Sequence, residues 1–183
     1  MPKSATFIVL FVATLLAGAV SLAPAAETTR DPMQHFFHQS FNNLPDEVAA
    51  AKKGGQQGIL IMFESDDCPW CVEMKAKVLN REAVQDYYRQ HFRILALDVN
   101  GDAPMTDFSG KEMAQKDFAF QHNRMRATPV FAYFGLDGKL LTKYTGATRD
   151  TQEFLWLGEF VVRGAWKSTN FTAYRRERSG NRD

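Results

Sequence analysis

Short apolar runs and stretches of helical spacing alternate along the centre of the chain. The run GILIMFE (Gly58–Glu64) lies between a glycine-rich turn and a polar cluster and predicts a buried strand, and FRILALDVN (Phe92–Asn100) predicts a second strand. Between them, Cys68–Phe92 has helical composition, with a break expected near Asn80 and a second helical piece over Glu82–Arg89. Four apolar residues of this segment are expected to face the core: Val72, Met74, Val78 and Leu79.

The flanking segments complete the order of elements. Helices are predicted at Pro45–Gly55, Lys111–Met125 and Thr148–Trp166, and a β-hairpin at Val130–Phe134 and Lys139–Tyr144. A βαβ half is thus followed by a ββα half. This order predicts an α/β fold in which a central mixed β-sheet is flanked by helices and preceded by an N-terminal helical extension.

The first 26 residues differ in composition from the rest of the chain. Lys3 precedes the uninterrupted apolar run Phe7–Val20, and Ala23 and Ala25 then form an A-x-A site, which gives the three parts of a secretory signal peptide. The run is shorter than the roughly 20 apolar residues of a bilayer-spanning helix. We therefore expect cleavage after Ala25 or Ala26, rather than a retained anchor or a core helix, and export to a bacterial periplasm.

Four regions are predicted along the chain. They are a signal peptide at 1–25, a helical lead-in at 26–57, one α/β domain at 58–166 and a polar, basic tail at 167–183. Within the domain, Asp102–Lys111 has the composition of a loop, and the tail is expected to be loose.

Composition and charge narrow the possible partners. A chain of 183 residues, 45% of them hydrophobic, suits a single globular domain. Of the 22 basic residues, Lys3 belongs to the predicted signal peptide, which leaves 21 against 21 acidic residues. Since this balance gives no indication of nucleic acid or of an anionic membrane surface, we expect a protein that binds no nucleic acid. We also expect a monomer.

The only two cysteines, Cys68 and Cys71, are separated by two residues. They could form a redox couple, half of a metal site or a structural staple, although a crosslink that closes so short a loop stabilises a fold little. The pair lies where a predicted strand leads into a helix, so helix N–H groups should lower the pKa of the Cys68 thiol and favour its thiolate. Cys71, one turn further on, could then attack a mixed disulfide formed by Cys68.

The residues around the pair bear on the direction of electron flow. Asp66 and Asp67 place two negative charges before Cys68, which should oppose thiolate formation. Pro69 suits the first helical turn, and Trp70 should be partly exposed beside the nucleophile, but neither adds positive charge. These neighbours favour a reducing role over an oxidising one.

Three motifs in order, FESDDCPWCVEMK, RATPVFAYF and KYTGAT, resemble the thioredoxin superfamily over Gly58–Val162. The resemblance implies a redox-active Cys68–Cys71 disulfide, no cofactor, and a cis Thr128–Pro129 peptide bond that faces Cys68. It further implies that the backbone of Thr128 pairs with an extended substrate, that Gly146 lets a partner approach, and that Pro69 and Trp70 also bind substrate.

The sequence departs from cytoplasmic thioredoxin in three ways. The residues between the cysteines are Pro-Trp. The position of the buried acid that serves as proton shuttle in thioredoxin is occupied by Met62. Glu64 and Asp98 are the candidates to replace that acid. Asp102–Lys111 looks like an insertion. Together with the signal peptide, these features are most similar to SoxW-type periplasmic thioredoxins, and to reducing domains supplied by a membrane electron donor of the DsbD/CcdA type.

The sequence therefore predicts an exported thiol–disulfide oxidoreductase that acts on disulfide-containing or thiol proteins, more as a reductant than as an oxidase or isomerase. The alternative from another class is a periplasmic Cu(I) carrier that uses both thiolates, with Met74 close by. His35 and His38, three residues apart, have no third ligand nearby and are expected to be packing or surface residues.

Overall fold

The computed structural model describes residues 28–180, so the predicted signal peptide and its cleavage site lie outside the described residues. The helices are α1 Pro32–His35, α2 Leu44–Lys53, α3 Pro69–Lys77, α4 Glu82–His91, α5 Gln115–Asp117, α6 Thr151–Val162 and α7 Phe171–Gly180. The strands are β1 Gly58–Glu64, β2 Phe92–Asp98, β3 Pro104–Thr106, β4 Glu112–Ala114, β5 Val130–Gly135 and β6 Leu140–Thr145. A π-helical turn spans Phe118–His122, and a 3-10 turn spans Ala165–Lys167.

Four strands form the central sheet in the order β2-β1-β5-β6. Strand β1 pairs with β2 in parallel and with β5 antiparallel, and β5 pairs antiparallel with β6. The predicted mixed sheet is therefore confirmed. The first six residues of β1 are all buried, because apolar side chains from other elements pack against both faces of the sheet.

The two faces of the sheet carry separate apolar clusters. One cluster joins Leu60 and Met62 of β1 to side chains of α3, α4 and α6, and the other joins Ile59, Ile61 and Phe63 to α2 and the π-helical turn. This alternation follows from the two-residue period of a strand. The cysteine helix α3 is thus fixed against a rigid layer.

Helix α3 buries a different stripe from the predicted one. Met74, Val78 and Leu79 are buried as expected, but Val72 is 63% exposed. The buried residues Cys71, Met74 and Val78 recur at three- and four-residue spacing, which turns Val72 toward solvent. The inward position predicted for Val72 is therefore wrong.

The segment predicted as a loop and then a long helix instead begins with a hairpin. Strands β3 and β4 pair antiparallel, and the Asp107 carboxylate closes the turn by accepting hydrogen bonds from the backbone N–H groups of Ser109 and Lys111, at 2.8 and 2.9 Å. Only α5 and the π-helical turn remain of the helix predicted over Lys111–Met125. The hydrogen bonds of the Asp107 side chain stabilise a turn here, although the spacing of the apolar residues favours a helix.

The tail, predicted to be loose, forms helix α7 against α6. The Phe171 ring lies 5.7 Å from that of Phe160, and the Arg175 guanidinium donates to the Glu153 carboxylate at 2.6 Å. Burial alone would raise the pKa of Glu153, but hydrogen bonds from Arg149 and Arg175 outweigh it and hold the pKa below its ordinary value. A few apolar and paired side chains are enough to order this polar segment.

The N-terminal lead-in packs along the free edge of β2. The backbone N–H of His38 donates to the Ile94 carbonyl at 2.8 Å, and the Ile94 N–H donates to His38 Nδ1 at 3.0 Å. Phe36 and Phe37 are buried beneath this contact. Burial, assisted by the charges of Arg89 and Arg93, lowers the pKa of His38 to about 4.

We expect the native protein to lose stability through His38 as the pH falls. Its pKa of about 4 in the folded state lies below the ordinary value for histidine, about 6.5. The unfolded chain therefore takes up the proton first, so the contribution is complete above about pH 6.5 and is lost as the pH falls toward 4. The loss is about 1 to 2 kcal/mol, allowing for the screening of a half-buried ring.

The His38→Asn variant tests this expectation by urea unfolding between pH 4 and 7. Its amide oxygen can still accept the Ile94 N–H but does not titrate. Stability of the variant should change less over this range than that of the unaltered protein. An identical decline in both proteins would show that other groups cause it.

Candidate active site

Cys68 is the N-cap residue of α3, and three residues separate it from the end of β1. It forms a disulfide with Cys71, whose backbone N–H donates to Cys68 Sγ at 3.1 Å. Pro69 occupies the first turn, where a missing N–H leaves no hydrogen bond unmade. The sulfur of Cys68 is therefore held at the positive end of the helix, as the sequence predicts.

Of the two cysteines, Cys68 lines a cleft of about 340 Å³. Cys68, Pro69 and Trp70 line it from the helix side, and Thr128 lines it from the loop before β5. The Thr128–Pro129 peptide bond is cis, as the resemblance implies. Thr128 Oγ1 lies 3.4 Å from the hydroxyl of Ser65, so the two loops meet beside the disulfide.

Gly146 lies at the end of β6, next to the same loop. Its N–H donates to the carbonyl of Pro129 at 2.8 Å, and its φ of +100° is a conformation that glycine adopts without strain. Apart from its chain neighbours, no atom of residues 28–180 lies within 4 Å of the position that a Cβ would take. The residue fixes the loop of Pro129 without itself lining the cleft.

The two candidate proton shuttles end neighbouring strands, where Glu64 and Asp98 are register partners. The Glu64 carboxylate forms an ion pair with Lys75 at 2.6 Å, and the Asp98 carboxylate accepts the Asn100 N–H at 2.8 Å. Each carboxylate thus also has a structural partner. Met62, at the position of thioredoxin's buried acid, is fully buried.

The charges on the cleft are mixed. Asp67 lines it and accepts a hydrogen bond from Ser65 Oγ at 2.7 Å, while Asp66 is exposed nearby in the chain. Arg126 also lines the cleft and is exposed. The sequence did not predict a positive charge at this site, although Arg126 is the first residue of the RATP motif.

Sequence reasoning also missed Ser65 and Phe120 as cleft residues. Ser65 lies within the motif FESDDCPWCVEMK, so its place beside Thr128 could have been inferred from the resemblance. The position of Phe120 could not be predicted in this way, because the helical spacing of the segment does not indicate that Phe120 lies in a π-helical turn.

Two of the candidate metal ligands, His38 and Met74, have structural contacts, and His35 is exposed. His38 bonds to Ile94 through Nδ1, and Met74 is buried, with its sulfur 3.8 Å from the Thr148 hydroxyl. Within residues 28–180 no group of three or more His, Cys, Asp or Glu side chains could hold a metal ion.

None of the helices within residues 28–180 combines the length and the apolar character that crossing a membrane requires.

A CxxC disulfide at the start of a helix, a mixed sheet behind it and a cis-proline loop across a cleft define a thioredoxin-like protein. The chain matches the thioredoxin-like domain family over residues 44–162 and belongs to that family. Family membership and the Cys68–Cys71 disulfide together make it a thioredoxin-like thiol–disulfide oxidoreductase.

Solved structures share the fold at low sequence identity. A thioredoxin-fold protein from Helicobacter pylori is 18% identical, with a TM-score of 0.56 over 74% of this chain and 98% of its own. A proposed disulphide-isomerase from Bacteroides thetaiotaomicron is 18% identical, with a TM-score of 0.54 over 80% and 100%. A thioredoxin from Thermus thermophilus is 23% identical, with a TM-score of 0.51 over 66% and 84%. No curated protein sequence matches the chain.

Proposed function

We propose that the protein is an exported thiol–disulfide oxidoreductase that reduces disulfides in partner proteins. The observation that carries this proposal is the position of Cys68 at the N-cap of α3, on a cleft shared with Thr128. This position supplies a stabilised thiolate and an open approach for a second polypeptide.

Exchange then proceeds in two steps. The Cys68 thiolate of the reduced protein attacks one sulfur of a substrate disulfide, so that a mixed disulfide forms and the other substrate sulfur leaves as a thiolate. Cys71 loses its proton and attacks the sulfur of Cys68, which releases the second substrate thiol and forms the Cys68–Cys71 disulfide. Two electrons pass to the substrate, and a donor dithiol must restore the reduced protein.

The cleft offers a place for an extended partner segment. We propose that the backbone of Thr128 pairs with this segment, next to Pro129, and that Gly146 leaves room for it. Pro69 and Trp70 would contact the segment from the opposite side. The 57% exposure of Trp70 supports this arrangement, because a large ring is then available beside the nucleophile.

We propose a reducing direction on the basis of charge. Asp66 and Asp67 are exposed immediately before Cys68 and oppose its thiolate form, which makes the dithiol a better electron donor. Arg126, on the same cleft, acts in the opposite sense. Asp67 on the cleft and Asp66 next to it in the chain together outweigh this positive charge, and the dipeptide between the cysteines carries no charge.

Export and electron supply complete the proposal. The sequence of residues 1–26 has the three parts of a signal peptide, which supports a periplasmic location. A periplasmic reductant needs electrons from across the membrane, so we propose a donor of the DsbD/CcdA type. Within the family, the Pro-Trp dipeptide and the predicted signal peptide support a SoxW-type subclass. We also propose that the protein acts as a monomer.

An insulin assay tests the proposed activity with protein that lacks residues 1–26. We expect catalytic reduction of insulin when dithiothreitol supplies the electrons. Cu(I) titration of the same preparation tests the carrier alternative. Tight stoichiometric Cu(I) binding without any acceleration of insulin reduction would refute the proposed function.

We expect Glu64→Gln to slow the resolving step if this carboxylate takes the proton of Cys71. The rate of substrate release from the mixed disulfide should fall about tenfold or more, while the attack by Cys68 is unchanged. Rapid quenching with acid and mass spectrometry would separate the two steps.

Two controls distinguish proton transfer from a structural effect of Glu64. Lys75→Met removes the same ion pair but keeps the carboxylate, and Asp98→Asn removes the other candidate. Equal resolving rates in Glu64→Gln and in the unaltered protein would rule out Glu64 as the shuttle.

A further inference from the structure

Two exposed aromatic side chains lie on the cleft of Cys68, and only one of them belongs to the cysteine motif. Trp70 of α3 is 57% exposed, and Phe120 of the π-helical turn is 44% exposed. Phe118, two residues earlier in that turn, is buried in the core. The turn thus anchors itself through one ring and presents another to solvent beside the reactive disulfide, which indicates a surface that a partner covers.

Arg126 adds an available positive charge to this surface. It is exposed and lines the cleft, two residues before Thr128. Within residues 28–180 it has neither an ion pair nor a hydrogen bond, whereas Arg149 and Arg175 both pair with Glu153. Asp67, the carboxylate on the same cleft, accepts a hydrogen bond from Ser65. The guanidinium is therefore free to bind a carboxylate from outside the chain.

We propose that Phe120 and Arg126 form a selectivity site that favours acidic, apolar segments of partner proteins around the cysteine to be reduced. An apolar side chain of the segment would cover Phe120 and Trp70, and a carboxylate within a few residues of the reacting cysteine would bind Arg126. This inference rests on the proposed function, since the segment must be held while Cys68 reacts.

The selectivity site acts on one step of the exchange. It holds the segment while the Cys68 thiolate attacks, so it changes the second-order rate constant for formation of the mixed disulfide. It leaves the later attack by Cys71 within the protein unchanged. A purely structural role of Phe120 or Arg126 would slow all substrates alike and would not depend on their charge.

Four synthetic peptide disulfides test the proposal. Each is a symmetric dimer with one cysteine per strand, and the four differ only in carrying glutamate or glutamine and leucine or serine beside that cysteine. Reduced protein without residues 1–26 is mixed with each peptide, and thiol release is followed by rapid alkylation and mass spectrometry. We expect the peptide with glutamate and leucine to react fastest.

The variants should separate the two contacts. Arg126→Gln should slow the glutamate peptides about fivefold and leave the glutamine peptides unchanged, with the difference lost at about 1 M salt. Arg126→Lys should restore part of the rate. Phe120→Ala should slow the leucine peptides about fivefold and leave the serine peptides unchanged.

Matched controls come from exposed residues that do not line the cleft. Arg124→Gln and Phe41→Ala should leave all four rates unchanged, because Arg124 is exposed and Phe41 is fully exposed elsewhere on the surface. Equal rates for the four peptides, with insulin still reduced, would overturn the selectivity site and leave the proposed function intact. Failure to reduce both insulin and the peptides would overturn both proposals.

Discussion

Replacing Cys68 by serine should abolish catalysed disulfide exchange, so that insulin is reduced only at the rate of dithiothreitol alone. The N-cap position gives the Cys68 sulfur the helix N–H groups that stabilise a thiolate, and a hydroxyl in its place is not ionised at neutral pH. Cys71 lies one turn inside the helix and, unlike Cys68, does not line the cleft, so it cannot replace the missing nucleophile. The turbidity assay for insulin reduction measures the loss.

Cys71→Ser is the matched variant, because it keeps the nucleophile and removes only the resolving thiol. It should form a stable mixed disulfide with its substrate, one per protein molecule, and then stop. Since the chain has no other cysteine, mass spectrometry assigns that bond to Cys68 without ambiguity. Full activity of Cys68→Ser, or trapping through Cys71 in that variant, would show that the roles of the two residues are wrongly assigned.

Gly58→Ala should destabilise the whole fold. A Cβ at Gly58, the first residue of β1, would clash with the carbonyl oxygen of Phe134 in the neighbouring strand β5. That oxygen belongs to the backbone, so relief of the contact requires the two central strands to separate. We expect a loss of about 2 to 3 kcal/mol and a fall in Tm of about 5 to 10 °C, measured by thermal unfolding.

Gly135 provides the comparison, because it is the register partner of Gly58 on β5. A Cβ there would approach the Asp137 carboxylate at 2.7 Å, but this group is the end of a side chain and can turn away. Gly135→Ala should therefore lose less stability than Gly58→Ala. A larger loss in Gly135→Ala would contradict the close packing of β1 against β5.

The elements that could be predicted are those whose residues carry the information locally. Strands β1, β2 and β5 follow from apolar runs bounded by turn residues, and β6 follows from the hairpin turn before it. Helix α3 follows from its proline and its helical spacing. The hairpin β3–β4 depends instead on the Asp107 side chain and its backbone partners. No periodicity of hydrophobic residues reveals such a turn.

Helix α7 was missed for a related reason. Its composition is polar and basic, and it is ordered by Phe171 and Tyr174 against Phe160 and by ion pairs with α6. These contacts join residues that are distant along the chain. Composition measures the apolar content of a segment but not the fit of a few rings to a neighbouring helix.

Some residues of the candidate site could likewise be predicted from the sequence, and others could not. The cysteine pair, Trp70 and the Thr128–Pro129 loop lie in motifs that could be read directly from the chain. Phe120 and Arg126 reach the cleft only because the π-helical turn and the loop that follows it lead the chain back beside α3. Their proximity to Cys68 is a property of the tertiary fold, so the balance of charge around the nucleophile could not be assessed completely from the sequence.

The midpoint potential of the Cys68–Cys71 couple, measured by equilibration with glutathione redox buffers, tests the proposed role as a reductant most directly. Asp66 and Asp67 precede the nucleophile, and together they outweigh the charge of Arg126 on the cleft, so the dithiol should stay a ready electron donor. We expect a potential near that of thioredoxin, about −270 mV. A value near about −120 mV, typical of a strong oxidant, would contradict a reducing function.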